Sequence, residues 1–165
     1  FYWCFDIDDN ILKIIHLFKY SGYSKLKNKL GEFLIRKVNE ILSIKNIDLI
    51  TPVPLHKKRE KVRGYNQSGL LCERIIKDIN IPYKKDILKR VVNNKSQTNL
   101  SREERMENVK GIFKVCEPEK INDKTILIID DVLTTGATIN ECSKTLVENG
   151  AKEIIALTLA YTILT

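Results

Sequence analysis

From Thr125 to Thr138 the chain reads Thr-Ile-Leu-Ile-Ile-Asp-Asp-Val-Leu-Thr-Thr-Gly-Ala-Thr, and this stretch limits the possible folds more than any other. Four consecutive apolar residues, Ile126 to Ile129, suit a strand covered on both faces, as a central strand of a parallel sheet is. Two carboxylates, Asp130 and Asp131, arrive where that strand is expected to end. Thr134, Thr135, Gly136, Ala137 and Thr138 then make a hydroxyl-rich, flexible turn. After the turn, Ile139, Cys142, Leu146 and Val147 recur at helical spacing. Thr138 and Glu141 have capping-box spacing, and Gly150 falls where a left-handed cap would end the helix.

A strand, a short loop and a helix N-terminus in that order form an anion site, because unpaired amides and the helix dipole point into the loop. A phosphate monoester is the natural guest. Adjacent carboxylates repel phosphate, so Asp130 and Asp131 suit ribose hydroxyls or the hydration shell of magnesium, which favours one or two carboxylates plus waters and phosphates. The combined expectation is a phosphorylated sugar, its phosphate in the threonine loop and its ring diol facing the acids. The plainer reading is that Asp130 and Asp131 only end a strand and Thr138 only caps a helix.

The rest of the chain alternates helical and strand patterns, which predicts an α/β fold with an open, mainly parallel sheet flanked by helices. Ile11, Ile14, Ile15 and Phe18 follow Asp9-Asn10 at helical spacing, and Leu26, Leu30, Phe33, Leu34, Val38 and Ile41 give a longer helix after Ser24. Two helices are therefore expected before the first core strand, Ile47 to Val53. Leu55 to Gly64 reads as a basic loop carrying Lys57, Lys58, Arg59, Lys61 and Arg63. These cations repel one another unless they share an anion, and pyrophosphate would serve. A solvated basic loop is the alternative. Leu71, Ile75 and Ile79 pattern the next helix, which Pro82 closes. A strand over Ile87 to Val92 leads into a polar stretch, and Ser101 with Glu104 has capping-box spacing.

At 165 residues the chain suits a single domain with one core. A net charge of +7 is compatible with an anionic ligand or nucleic acid and decides neither. The four cysteines, Cys4, Cys72, Cys116 and Cys142, occur singly, so neither a disulfide framework nor a zinc site is indicated. No apolar run reaches the length of about 18 residues that a membrane span needs. The chain reads as soluble and cytoplasmic.

Several segments together resemble one family. Ile126 to Thr138 is similar to the phosphoribosyl pyrophosphate (PRPP) signature of type I phosphoribosyltransferases. His16 to Gly22, Thr51 to His56, Arg63 to Gln67 and Gln97 to Ser101, with Arg105 and Asn108, narrow the resemblance to the competence protein F (ComF) family of phosphoribosyltransferase-like proteins.

The resemblance implies a phosphoribosyltransferase-type sheet over residues 1–165, with 1–45 as an N-terminal helical or hood segment in which Phe18 and Tyr20 could form an aromatic wall. It implies PRPP and magnesium as ligands, with Asp130 and Asp131 on ribose and on the metal through water. Thr134, Thr135, Gly136, Ala137 and Thr138 would hold the 5′-phosphate, and Lys57, Lys58, Arg59 and Arg63 the pyrophosphate. Ser96 to Asn108 would be the mobile loop, whose Arg105 could steady the leaving pyrophosphate. Equally, Arg102 and Arg105 could pair with Glu103, Glu104 and Glu107 on an exposed helix. Many members begin with a four-cysteine zinc ribbon; here only Cys4 stands at the front, so zinc binding is not carried over. Three functions stay open: phosphoribosyl transfer to an unidentified base, single-stranded DNA binding with the DNA-uptake machinery, and PRPP sensing. A second copy of the chain is a further possible partner.

Overall fold

The computed structural model describes residues 1–20, 23–94, 104 and 107–162. Strand β5, Thr125–Leu133, forms because its apolar run has both faces covered, and Ile126 to Ile129 are fully buried. Each such side chain contributes roughly 1.5–3 kcal/mol relative to exposure. Its neighbours are β2, Leu49–Pro52, and β6, Glu153–Tyr161, with β1, Tyr2–Asp6, outside β6. The order β1-β6-β5-β2 is parallel at every pairing, so the parallel α/β architecture expected from the alternation is the one adopted.

The pleat of β5 divides the core. Leu127 and Ile129 join Phe18, Leu34, Ile41 and Ile75 on one side, while Ile126 and Ile128 join Ile139, Cys142 and Leu146 on the other. The first side is covered by α1, Asp9–Tyr20, α2, Lys27–Leu42, and α4, Gln67–Ile75. Helix α2 buries Leu30, Leu34, Val38 and Ile41, the spacing of one helical face. It approaches α4 at Gly31, where an added Cβ would stand 2.3 Å from the Arg74 Cγ. The second side is covered by α5, Ala137–Glu148.

Three expectations need correcting. The opening residues do not simply precede helices: β1 is an edge strand of the sheet, paired with β6 from Tyr2 against Leu157 to Asp6 against Tyr161. The basic stretch is a short helix, α3, Lys57–Arg63, not a loop. The His56 Nδ1 accepts from the Lys58 amide at 3.2 Å, and Gly64 ends the helix at φ 87°. Finally, the strand expected over Ile87 to Val92 shortens to β3, Leu88–Arg90, and leaves the main sheet to pair antiparallel with β4, Phe113–Val115. Leu88, Phe113 and Val115 bury one face of that ribbon, a pairing the alternation of Phe113-Lys114-Val115 favours.

All four cysteines are free thiols, with Cys72 and Cys142 buried. Among the described residues no helix is long and apolar enough to cross a membrane.

Candidate functional site

The acid pair does not end its strand. On one side β2 pairs with β5 only as far as Pro52 opposite Ile129, whereas on the other β6 continues the pairing to Leu133. Asp130 and Asp131 therefore sit where one neighbour gives out and the other carries on, at the carboxyl edge where open parallel sheets receive ligands. A cavity of about 480 Å³ opens there, lined by Asp130, Asp131, Thr134, Thr138, Arg59 and Arg63 among others. Thr134 to Thr138 also surround a hollow of about 60 Å³ beside Asp130.

The turn is built on Gly136, whose φ of 78° suits a residue without a Cβ. Gly136 itself is the N-cap of α5, so the capping box expected from Thr138 and Glu141 does not form. Glu141 Oε1 instead accepts from the Gly111 amide at 2.7 Å. The Ala137 amide donates to Thr135 Oγ1 at 3.4 Å. Gly150 has the expected left-handed conformation, φ 101°.

Each acid has its own counterpart. Asp130 Oδ1 accepts from the Ser68 hydroxyl at 2.8 Å and from the Asp131 amide at 2.9 Å. Asp131 Oδ2 meets the Lys19 ammonium at 3.1 Å. Burial and the neighbouring Asp131 charge push the Asp130 carboxyl up to about 7, against the pull of Ser68 and Lys19. Burial works against the Lys19 charge, but Asp131 and then Asp130 outweigh it and raise the ammonium.

The opposite wall is cationic. The Arg59 Nη2 donates to the Asn94 carbonyl at 2.6 Å, and Arg90 bonds the Asn94 side chain. The Arg63 Nη1 donates to Gln67 Oε1 at 2.6 Å, and its guanidinium lies 4.9 Å over the Tyr20 ring. Gln67 Nε2 and Arg90 Nε are buried donors with no partner among the described residues. Lys19, Arg59, Arg63 and Arg90 thus face a cavity whose acids are Asp130 and Asp131. Burial and the nearby Arg59 lower the Arg90 guanidinium. Such a lining favours an anion with several negative charges.

Of the cations expected from sequence, Arg59 and Arg63 reach this cavity. Lys58 lines an adjoining one of about 610 Å³ that shares Lys19, Tyr20, Arg59 and Arg63. Lys57 lines neither and faces a hollow of about 320 Å³ with His56, Glu60 and Lys85, which borders the main cavity at Pro54 and Arg90. Arg102 and Arg105 lie outside the described residues, as do most of Ser96 to Asn108. Phe18 is a core residue, whereas Tyr20 is exposed beneath Arg63.

Lys19, Ser68, Gln67 and Arg90 were not singled out from sequence. Polar residues at the start of a helix look like caps, as Asn66 is, accepting from the Ser68 amide at 3.1 Å. Their burial, 2% exposed at Gln67 and 3% at Ser68, belongs to the folded state alone.

The acids fit magnesium through water rather than directly, because Lys19 already holds one Asp131 oxygen and two donors hold one Asp130 oxygen. Among the described residues no cluster of three or more His, Cys, Asp or Glu could hold a metal.

Comparison with known proteins adds an independent line. The profile described as "Phosphoribosyl transferase domain" matches residues 66–163. Competence protein F of Haemophilus influenzae is 33% identical over 145 residues, which is 86% of this chain and 63% of that protein. DNA utilization protein YhgH of Escherichia coli is 30% identical over 153 residues, 91% of this chain and 66% of that one. The chain thus spans slightly less than two thirds of the length of each relative. Among solved structures, glutamine PRPP amidotransferase from B. subtilis superposes with a TM-score of 0.55 at 16% identity, over 87% of this chain and 30% of that one. At that identity the likeness is one of fold.

Proposed function

The chain belongs to the phosphoribosyl transferase domain family, in its competence protein F branch, and from that premise we propose that it binds the phosphoribosyl group of PRPP. One observation carries the reading: an acid pair, a threonine turn and a wall of arginines open on one cavity. The amides and hydroxyls of Thr134 to Thr138 receive the 5′-phosphate. Asp130 and Asp131 accept from the ribose diol. Arg59 and Arg63, with Arg90 behind them, receive the pyrophosphate, and the orphaned donors of Gln67 and Arg90 gain acceptors when it arrives.

Magnesium, held by the pyrophosphate and through water by Asp130 and Asp131, would supply further neutralisation of the leaving group. Transfer would break the bond between the anomeric carbon and pyrophosphate and form one to a base nitrogen, through a transition state with positive charge on the ribose. The acids stabilise that charge and the arginines the departing anion. Arg105, outside the described residues, keeps the role the resemblance implies for it, a cation for the leaving pyrophosphate.

A second reading, single-stranded DNA binding, is favoured by the adjoining cavity, where Lys58, Arg59 and Arg63 lie beside the exposed Tyr20 ring. Cations interleaved with an aromatic platform suit a single strand, and two relatives carry names for competence and DNA utilization. Pyrophosphate release from PRPP and magnesium across a panel of bases tests transfer. DNA affinity against salt tests the second reading, and a flat salt response would remove phosphate-backbone contacts.

A further inference from the structure

The sequence assigned no task to Lys19, yet its ammonium is the group that reaches the acid pair from the N-terminal segment, 3.1 Å from Asp131 Oδ2. Its placement is not that of a loose surface lysine. It belongs to the last turn of α1, between Phe18, which is fully buried, and Tyr20, which lies under Arg63. The Tyr65 hydroxyl donates to the Phe18 carbonyl at 2.6 Å and tethers that turn. The backbone carrying Lys19 is therefore held before any ligand arrives.

Adjacent carboxylates within a largely buried strand need compensating charge or hydrogen bonds. Asp130 has two donors, the Ser68 hydroxyl and the Asp131 amide. Asp131 has Lys19. A divalent ion placed directly on Asp131 Oδ2 would meet the ammonium already there, and like charges at that distance repel.

We propose that Lys19 is a resident counter-cation for the acid pair, so that the ribose 5-phosphate half of the ligand binds without magnesium and the metal is needed only at the pyrophosphate half. This rests on the phosphoribosyl reading above. With Lys19 on Asp131 Oδ2 and Ser68 on Asp130 Oδ1, the acids keep their remaining oxygens for the ribose diol. The protein carries on α1 a charge that would otherwise have to be recruited from solution. A lysine suits the place because its ammonium is a compact point charge on a flexible stem.

The test is calorimetric titration of ribose 5-phosphate in EDTA and in millimolar magnesium, for the wild type and for Lys19→Met, which keeps the apolar stem. Wild-type affinity should agree within about twofold between the buffers, while Lys19→Met should lose about tenfold or more in EDTA and recover most of it with magnesium. Wild-type binding that appears only with magnesium would overturn the inference and leave the phosphoribosyl reading intact. So would Lys19→Met binding like the wild type in EDTA. Absence of binding by the wild type in both buffers would overturn the phosphoribosyl reading itself. The wild-type comparison needs no variant, so it decides even if Lys19→Met folds poorly.

Discussion

One wall of the cavity comes from a single uninterrupted stretch, the end of β5 and the turn into α5; the facing wall is pieced together from α1, α3, the start of α4 and β3. The first wall is held by the last part of β5, paired there with β6 alone, and by the helix that follows it. The second is held by side-chain bonds between elements, such as Arg59 to Asn94 and Arg63 to Gln67. The matched family profile, residues 66–163, contains the whole first wall and stops short of Lys19, Arg59 and Arg63. The profile thus spans the acid pair and the turn together with Gln67, Ser68 and Arg90 of the facing wall, and leaves the contributions of α1 and α3 outside it.

That contrast can be broken most forcefully at the acids. Asp130→Asn with Asp131→Asn should abolish the rise in melting temperature caused by PRPP and magnesium, a stabilisation of ~2.7 kcal/mol at a hundred times Kd, while the ligand-free protein still unfolds cooperatively. A shift that survives would mean that the arginine wall alone holds the ligand. Next come Arg59→Ala and Arg63→Ala, each expected to cost PRPP about 1.5–3 kcal/mol of binding and ribose 5-phosphate much less. Lys57→Ala, in the neighbouring hollow, should change neither by more than about 0.5 kcal/mol. Equal losses for both ligands in the arginine variants would merge the two walls into one.

The pH dependence sharpens the comparison from the other side. The Asp130 carboxyl is raised from 3.8 to about 7 in the folded protein. Below its unfolded value both states are protonated and folding carries no penalty. As pH rises towards 7 the unfolded chain ionises and the native state resists, so stability is lost, on the order of 1–3 kcal/mol, and stays lost above 7. Asp130→Asn removes that dependence and should unfold at higher urea than the wild type at pH 8, with the gap closing near pH 4. A variant less stable at pH 8 would show that the acid pair carries no such cost. A modest effect is expected of His56→Ala, which removes the α3 cap for about 0.5–1 kcal/mol and should leave ribose 5-phosphate titrations unchanged.

What was legible in the sequence follows the same division. The four-residue apolar run, the α2 face and the position of Gly150 are set by periods of a few residues, so β5, α2 and the end of α5 could be read directly. Helix α3 buries no residue and so has no apolar period; only His56 and Gly64 at its ends mark it. Nothing local marks strand β1, because Phe1-Tyr2-Trp3-Cys4-Phe5 has no alternation and its partner is far away in the chain. Lys19 is one of many lysines until α1 folds against the sheet. A group becomes readable in advance when its neighbours in sequence are also its neighbours in space, and Lys19 and Arg90 fail that condition.

The pairing of β1 with β6 has a consequence for the order of assembly. Those strands are separated by nearly the whole chain, so closing them is the most entropically demanding contact in the sheet. Helix α1 follows directly from β1, with the Ile7 amide donating to the Tyr161 carbonyl at 2.9 Å. During synthesis β5 and α5 are therefore made before β1 has the strand it pairs with. The edge strand that leads into α1, and so into the turn bearing Lys19, gains its neighbour in the sheet only once the last strand of the fold is present.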